Sequence, residues 1–459
     1  MSSGSSHFRW NHLLIITFLL GLASCGTPSS TPVAPSATAG NLTPGSSPTA
    51  LAQSSAPTTS PVATSVAAAT SPMLEPSSAV PLPTLTSELS ATVAAGLPPT
   101  ATPKPGEQSF GGITGVNVLP LTGTNPQLFA VYSTGYSNFE PPQQHFVAIY
   151  QRLGEEWKEL SRLELDKAGI ILDNSVTQVQ VAPGRTWIEV QSGTGAHGGC
   201  YDLLSFDGKA LNDAVSSCHA SPDAGWLKDL NSDGTPEVVL NQTDDYVFCY
   251  ACGERFIQYQ VLRWDGDKFV EVSLEMLPDS APAKLHDLIN QAVTLAQAGL
   301  WKDAQTTISQ TLALNVQDPT ATWDAALIRL TAEARADQVT RAPYPVLDNV
   351  FYGDYAAALR AMRSYSPEQI FSPDGPLIAD TPAEGFVDSL TDYLTRTTTL
   401  ALNAKPDLAA AFFLRGWGYY LHDPKDPNIL ADVQHAATLD PKEHLFVQSV
   451  AYLKQHKAG

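Results

Sequence analysis

The chain has 459 residues, with 46 acidic side chains against 26 basic ones and a formal net charge of −20. Such an acidic chain repels the phosphate backbone of nucleic acids, which excludes them as partners. Only 16% of the residues are charged and 35 are prolines, so we expect part of the chain to lie outside any folded core.

The first 24 residues have the pattern of an export signal. Arg9 precedes an apolar run from Leu13 to Leu22. About ten apolar residues form a helix of roughly 15 Å, half of the roughly 30 Å needed to cross the hydrocarbon core of a membrane. We therefore predict a cleaved signal peptide over residues 1–24 rather than a membrane span.

The residues that follow this run, Leu22-Ala-Ser-Cys25, resemble the lipobox of bacterial lipoproteins. The resemblance implies that cleavage leaves Cys25 as an acylated N-terminus. Two or three acyl chains hold a protein stably at a membrane surface, where one chain does not. The implied location is extracytoplasmic, with the protein anchored by lipid to the bacterial cell membrane. The alternative is an ordinary secretory signal with a chance cysteine.

Residues 26–105 are almost wholly Ser, Thr, Pro, Ala, Gly and Val, and they hold 15 of the 35 prolines but only three charged side chains. Such a composition cannot bury enough apolar surface to offset the conformational entropy lost on folding. We predict that residues 25–105 comprise the lipidated cysteine and a disordered stalk. As a random coil the stalk would span roughly 50 Å and hold the folded part away from the lipid.

From residue 106 onward, short runs of alternating apolar and polar residues are separated by Gly, Asp and Asn clusters, which is typical of antiparallel strands. Hairpin-like segments with a glycine in the turn recur about every 55 residues. They are Arg152–Trp157, Ser205–Leu211 and Arg263–Phe269. We predict a β-repeat domain over 106–279, folded either as a propeller-like array of meanders or as a sandwich.

One loop of this domain carries oxygen-bearing side chains at alternating positions from Asp229 to Glu237. Such a loop can surround a hard cation with about six or seven oxygens. Together with the apolar strand that follows, the loop resembles an FG-GAP or VCBS repeat. The resemblance implies structural calcium held by side chains of Asp229, Asn231, Asp233 and Glu237 and by the carbonyl of Thr235. The closing Glu replaces the commoner Asp, and the alternative is a polar turn that binds no metal.

Four cysteines besides Cys25 lie in the β domain, and an even number in an exported protein favours disulfides. Of the three possible sets of pairs, we favour Cys200 with Cys218 and Cys249 with Cys252. A zinc site built from all four is the alternative. A redox role for Cys249-Tyr-Ala-Cys252 would need a thioredoxin-like βαβ setting, which the sequence lacks.

Residues Gly193–Gly198 match the G-x-G-x-x-G pattern of dinucleotide-binding loops. That function also needs a helix after the loop, whereas Cys200–Phe206 has the pattern of a strand. We interpret the glycines as a hairpin loop. The sequence holds no catalytic motif of the nucleophile-elbow or zinc-protease type, so we predict that the protein is not an enzyme.

Beyond Pro282 the apolar period changes to 3.6, which predicts helices. The first apolar face comprises Leu285, Leu288, Ile289, Ala292, Val293 and Ala296. Glycine-containing turns recur at Gly299–Trp301 and Gly353–Tyr355, and Pro406 and Pro441 follow later helices. This pattern resembles tetratricopeptide (TPR) repeats, so we predict a TPR-like helical domain over 280–459 with about three to four degenerate repeats.

Stacked helical hairpins expose a concave groove, so the TPR resemblance implies a protein or peptide partner. The combined prediction is a multidomain β-then-α lipoprotein that acts as a non-catalytic binding or scaffold module outside the cytoplasm. One alternative is a carbohydrate-binding or carbohydrate-active envelope protein, in which two carboxylates in a β-domain cleft act as acid and base. A second alternative is a purely structural envelope component.

Overall fold

The computed structural model describes residues 80–97, 113–137, 144–195 and 197–456. The predicted signal peptide (1–24), the predicted lipidation site Cys25 and most of the predicted stalk lie outside these residues. In the described part an antiparallel β region is followed by a helical region, so the predicted order of β then α is confirmed.

Within the described residues, nine antiparallel strands form the first sheet, which curls into a half-barrel. In chain order they are β1 (Ile113–Pro120), β2 (Leu128–Tyr136), β3 (His145–Leu153), β4 (Glu156–Leu165), β5 (Ile170–Ile171), β6 (Val176–Val179), β7 (Thr186–Gly193), β8 (Gly199–Phe206) and β9 (Leu211–His219). Across the sheet the order is β4-β3-β2-β5-β7-β8-β9, with β1 paired to β2 and β6 paired to β7.

A second sheet is a four-stranded meander. Its strands are β10 (Gly225–Lys228), β11 (Glu237–Asn241), β12 (Tyr259–Trp264) and β13 (Phe269–Val272). The three predicted units therefore do not form three separate meanders, and only the third has a sheet of its own. The first two share one sheet because β5 pairs with both β2 and β7, through Ile171 opposite Gly135 and Ile170 opposite Gly193.

Helix α1 (Leu82–Ala95) lies inside the segment predicted as stalk and corrects that prediction for these residues. Leu89 and Val93 are four residues apart on one face of the helix and are buried against the first sheet. The Ser90 hydroxyl also donates to the carbonyl of Val116 in β1, at 2.7 Å. This apolar stripe is short and lies among Ser, Thr and Pro residues, so the composition of the segment did not predict a helix.

Ten helices follow the β region in the described residues. They are α2 (Ala283–Gln297), α3 (Trp301–Ser309), α4 (Pro319–Thr340), α5 (Pro345–Tyr352), α6 (Tyr355–Met362), α7 (Pro367–Ile370), α8 (Val387–Ala404), α9 (Ala409–His422), α10 (Asn428–Leu439) and α11 (His444–His456). None of the helices in the described part of the chain combines the length and hydropathy needed to cross a membrane.

The two predicted glycine turns lie where helices reverse direction, between α2 and α3 and between α5 and α6. They also pack on each other: a Cβ added at Gly353 would come within 2.7 Å of the Leu300 Cα. Gly353 has φ of 83°, so a side chain there would be disfavoured by backbone conformation as well as by space. The helices otherwise differ in length, from four residues in α7 to 22 in α4.

The apolar core of the helical region includes side chains from the β region. Val247, Phe248 and Leu277 belong to the same buried cluster as Ile289 and Phe351. Packing therefore continues across the predicted boundary at residue 280. The junction between the second sheet and the helices also holds three buried charged residues, Glu254, Arg335 and Asp348.

Candidate functional site

The predicted calcium loop joins β10 to β11, and its side chains bond to the loop's own backbone. The Asp229 carboxylate accepts from the N–H groups of Asp233 (3.2 Å) and Gly234 (3.0 Å). Asn231 Oδ1 accepts from the Asp233 N–H at 2.9 Å, and Asp233 Oδ1 accepts from the Thr235 N–H at 2.8 Å. The structure thus brings four of the five predicted ligands into one tight turn.

Glu237, the predicted closing ligand, begins β11 and is only 2% exposed. Its Oε2 accepts from the Leu230 N–H at 2.8 Å. Burial raises the pKa of Glu237 to about 7, and the negative charges of Asp233 and Asp229 act in the same direction. The carboxyl is therefore about half protonated near neutral pH, and a nearby cation would favour its ionised form.

The donor set of this loop is all oxygen, which suits a hard cation such as calcium. Within the described residues, however, no group of three or more His, Cys, Asp or Glu side chains is arranged to hold a metal ion. Asp229 and Asp233 accept from backbone N–H groups, and Glu237 is turned towards Leu230. Calcium binding would require these three carboxylates to turn towards a common centre.

The cysteines form the two favoured pairs. Cys200 and Cys218 occupy directly paired positions on β8 and β9 and are disulfide-bonded. Cys249 and Cys252 are bonded across a 3₁₀ turn over Tyr250–Cys252. The alternative zinc site, which needs all four thiolates, is therefore not formed.

The G-x-G-x-x-G segment connects two paired antiparallel strands, β7 and β8, with Gly193 opposite Gly199. A strand rather than a helix follows the glycines, as interpreted from the sequence. No helix N-terminus is available here to receive a pyrophosphate, which a dinucleotide site needs.

Two facing carboxyl groups lie at the junction, but they are enclosed. Glu254 is 0% exposed and Asp348, on α5, is 1% exposed. Burial raises the pKa of Glu254 to about 10, helped by the charge of Asp348, and burial raises the pKa of Asp348 to about 6. The pair therefore retains a proton near neutral pH. Gln338 on α4 contacts Asp348 and donates to the carbonyl of Gly253 at 3.2 Å, so the pair also ties the β region to the helices.

Beside this pair, a pocket of about 350 Å³ opens between the segment before β12 and the helices; we call it the junction pocket. Its aromatic walls are Phe256, Tyr259 and Trp301, and apolar walls include Leu274 and Leu400. Two arginines complete it, Arg335 from α4 and Arg396 from α8. The described lining residues include no acidic side chain, although the chain as a whole carries a net charge of −20.

Arg335 is 4% exposed, and its guanidinium lies over the ring of Phe256 at 4.5 Å and that of Trp301 at 5.3 Å. Nη1 donates to the carbonyl of Phe351, and Nη2 donates to that of Ile257 at 2.8 Å. Its Nε is buried without a hydrogen-bond partner. Burial lowers the pKa of Arg335 to about 9, with no carboxylate among the described residues acting against it, yet the group stays charged at neutral pH.

Arg396 lies at the exposed rim of the same pocket. Its guanidinium is 4.7 Å from the centre of the Tyr393 ring and 5.8 Å from that of Phe256. Phe256 is therefore contacted by both guanidinium groups. The pocket is locally positive and aromatic, a composition that favours anions with an apolar body.

The sequence prediction did not include this pocket. A signal for it exists in α4, where Arg335 follows Ile328 and Ala332 at helical spacing, so a cation occupies a position on the buried apolar stripe. Trp301 contacts the helical core and also lines the pocket.

No protein-family model matches the chain. No curated protein matches it at a significant level. The resemblances to the lipobox, to FG-GAP or VCBS repeats and to TPR repeats therefore stay predictions.

Proposed function

We propose that the protein is a lipid-anchored, extracytoplasmic binding module that recruits a protein or peptide partner and does not itself catalyse a reaction. The observation that supports this proposal is the junction pocket, which combines Trp301, Phe256 and two arginines at one opening. Trp, Tyr and Arg are the residues that most often dominate binding energy at protein interfaces. Helices α3, α4 and α8 line part of the pocket, and they belong to the helical region for which the TPR resemblance implies a partner.

Two finer features belong to the same proposal. The helical hairpins act as a degenerate TPR-like array, a reading supported by the tight turns at Gly299 and Gly353. We propose that the loop from Asp229 to Glu237 binds a structural calcium ion when the carboxylates of Asp229, Asp233 and Glu237 turn towards a common centre. Its residues Asn231 and Ser232 share a surface cleft with α4, so an ordered loop would stabilise the side of the helical region that faces it.

The carbohydrate-active alternative has less support. It requires two carboxylates that a substrate can reach, about 5–10 Å apart. The facing pair at the junction, Glu254 and Asp348, is enclosed. In the described residues we find no observation that favours catalysis over binding.

Site-specific photocrosslinking on intact cells tests the proposal. A benzophenone amino acid replaces Leu400, which is 45% exposed at the rim of the junction pocket, or Val447, which is 47% exposed on α11. We expect a discrete crosslinked partner from position 400 and none from position 447. The same pattern of crosslinks at both positions, or none at either, would contradict a partner site at the pocket.

The anchor is tested in the same cells. We expect the wild-type chain in the membrane fraction and the Cys25→Ala variant in the soluble or uncleaved fraction, because the thiol is the acylation site that the lipobox resemblance implies. A mature N-terminus at any residue other than Cys25, determined by mass spectrometry, would reject the lipid anchor.

A further inference from the structure

We propose that the junction pocket binds a carboxylate attached to an apolar or aromatic body, and that Arg335 and Arg396 receive the carboxylate. This inference rests on the proposed function, because the C-terminal residue of a peptide partner has this chemistry. A free small organic acid has the same chemistry, and the experiment below separates the two sources.

No anion among the described residues balances the charge of Arg335. A guanidinium has five N–H donors, and a buried cation is stable only when it is paired and hydrogen-bonded. The described residues give Arg335 two backbone carbonyls and two aromatic rings but no anion, and leave its Nε unpartnered. A carboxylate in the pocket would supply the missing countercharge, and charge-assisted bonds of this kind are among the strongest in proteins.

The size and charge of the pocket exclude large polyanions. Its volume of about 350 Å³ lies near the lower end of the usual range for small-molecule sites. It contains only two guanidinium groups among the described lining residues, and the net charge of −20 repels polyanions. The walls of Phe256, Trp301 and Leu274 favour an apolar group beside the carboxylate.

The guanidinium group of Arg335 is held in place before any ligand binds. The bonds from Arg335 to Phe351 and Ile257 hold the guanidinium between α5 and the segment before β12. The rings of Phe256 and Trp301 hold it from the side. A charge that is already fixed costs little further ordering when a ligand arrives. Arg396, at the exposed rim, is placed to meet the anion first.

The test is calorimetric titration of the purified full chain with N-acetyl-L-phenylalanine and with its amide, which differ only in the negative charge. We expect the acid to bind at least about tenfold more tightly than the amide, because the amide cannot form the charge-assisted bonds. Equal affinity for the two probes, or no binding of the acid, would overturn the proposal.

Arginine variants locate the site. Arg396→Gln removes an exposed charge at the rim, and we expect it to weaken binding of the acid about tenfold. Arg329→Gln is the matched control, because Arg329 is exposed on α4 outside the pocket and should leave affinity within about twofold. Equal effects of these two variants would overturn the assignment to the junction pocket.

Arg335 needs two variants because it also contacts backbone at the junction. Arg335→Gln removes the charge, whereas Arg335→Lys keeps the charge and loses the planar fork. We expect affinity for the acid to decrease in the order wild type, Lys, Gln, each measured on protein whose melting curve shows that it is folded. If Gln binds the acid as tightly as the wild type does, Arg335 has no role in binding. If neither variant folds, the Arg396→Gln result decides the proposal.

A heptapeptide ending in phenylalanine, as free acid and as C-terminal amide, identifies the source of the carboxylate. Tighter binding of the acid peptide than of N-acetyl-L-phenylalanine supports a peptide C-terminus, and equal binding supports a small acid. Failure of the two inferences is distinguishable. Crosslinking from position 400 without a preference for acids over amides would overturn only the carboxylate, whereas acid binding without crosslinking would overturn only the macromolecular partner.

Discussion

Ionisable side chains of opposite charge are buried at the junction, and among the described residues no ion pair joins them. Glu254 and Asp348 face each other, whereas Arg335 faces Phe256 and carbonyl groups. The carboxyl pair keeps a proton and so avoids burying a second negative charge. Arg335 cannot become neutral in this way near neutral pH, because its pKa of about 9 keeps it charged. The two groups therefore predict different responses to pH and to ligands.

The carboxyl pair predicts a stability that falls as pH rises. Because the pKa values of Asp348 and Glu254 are raised in the folded state, to about 6 and about 10, their stabilising contribution is complete below the unfolded values near 4. It is lost progressively as pH rises above about 4 and through the raised pKa values of the pair, which titrate together. We expect Glu254→Gln, which copies the protonated form, to flatten the upper part of this decline.

Calorimetric melting temperatures between about pH 5 and pH 10 measure this effect, with Tyr344 as the other titratable group beside Glu254. Glu333→Gln, an exposed position on α4, is the control and should keep the wild-type profile. Parallel profiles for wild type and Glu254→Gln would show that the pair does not retain its proton.

The acidic loop predicts stabilisation by calcium. At free calcium one hundred times the dissociation constant, binding adds about 2.7 kcal/mol to the free energy of unfolding. We expect the melting temperature to rise on adding calcium after chelation, and Asp233→Ala to remove the rise. Since the pKa of Glu237 is raised to about 7, calcium affinity should fall as pH decreases below 7, where a proton competes.

Asp267→Ala provides the matched control, because Asp267 lies in the exposed Asp-Gly turn between β12 and β13. This variant should keep the full calcium response. A wild-type melting temperature that is unchanged by calcium would reject the metal site and leave the polar turn as the correct interpretation of the motif.

Among the elements, α1 is a helix of 14 residues that depends on its contact with the first sheet. Isolated helices of this length are marginal in water, so packing decides whether it forms. Truncating a fully buried leucine costs about 2–5 kcal/mol. We expect Leu89→Ala to undock α1 and to raise amide hydrogen exchange over Leu82–Ala95 at least about tenfold, with little change in the second sheet.

Leu82→Ala is the same chemical change at a position that is 45% exposed, and exchange over the helix should stay as in the wild type. If both variants exchange alike, α1 is not held by its apolar stripe.

Local sequence patterns predicted where helices and strands lie better than they predicted which of these elements pack together. The apolar period predicted α2, the glycine turns predicted where α3 and α6 begin, and the hairpin of β8 and β9 follows from its Asp-Gly turn. The joining of nine strands into one sheet depends on β5, which has two residues and no readable period. The junction pocket depends on Arg335 reaching Ile257, 78 residues earlier in the chain, and a local pattern carries no information on such a pairing.

For the whole molecule, the shared core predicts that the β and helical regions unfold together. Pro76–Gly459 forms one compact unit, and the helical core contains Val247, Phe248 and Leu277. We expect a single calorimetric transition for the fragment 76–459. The fragment 280–459 lacks these side chains and the partners of Arg335, so we expect it to expose apolar surface, bind a hydrophobic dye and melt without a cooperative transition.

Two separated transitions for 76–459, or cooperative melting of 280–459 alone, would contradict a shared core. A fragment that begins at residue 240 supplies Val247 and Phe248 and provides an intermediate comparison.

The docking of α1 on β1 also has a mechanical consequence. If Cys25 is fixed to a membrane and a partner is bound to the helical region, a pull on that partner loads α1 before the first sheet among the elements that the structure describes. That helix is held by two buried apolar side chains, by the bond from Ser90 to Val116 and by the ion pair between Glu88 and Arg152. Peeling away one short helix requires less force than shearing a nine-stranded sheet. Under load, α1 would therefore release before the first sheet does, while the junction and its pocket stay intact.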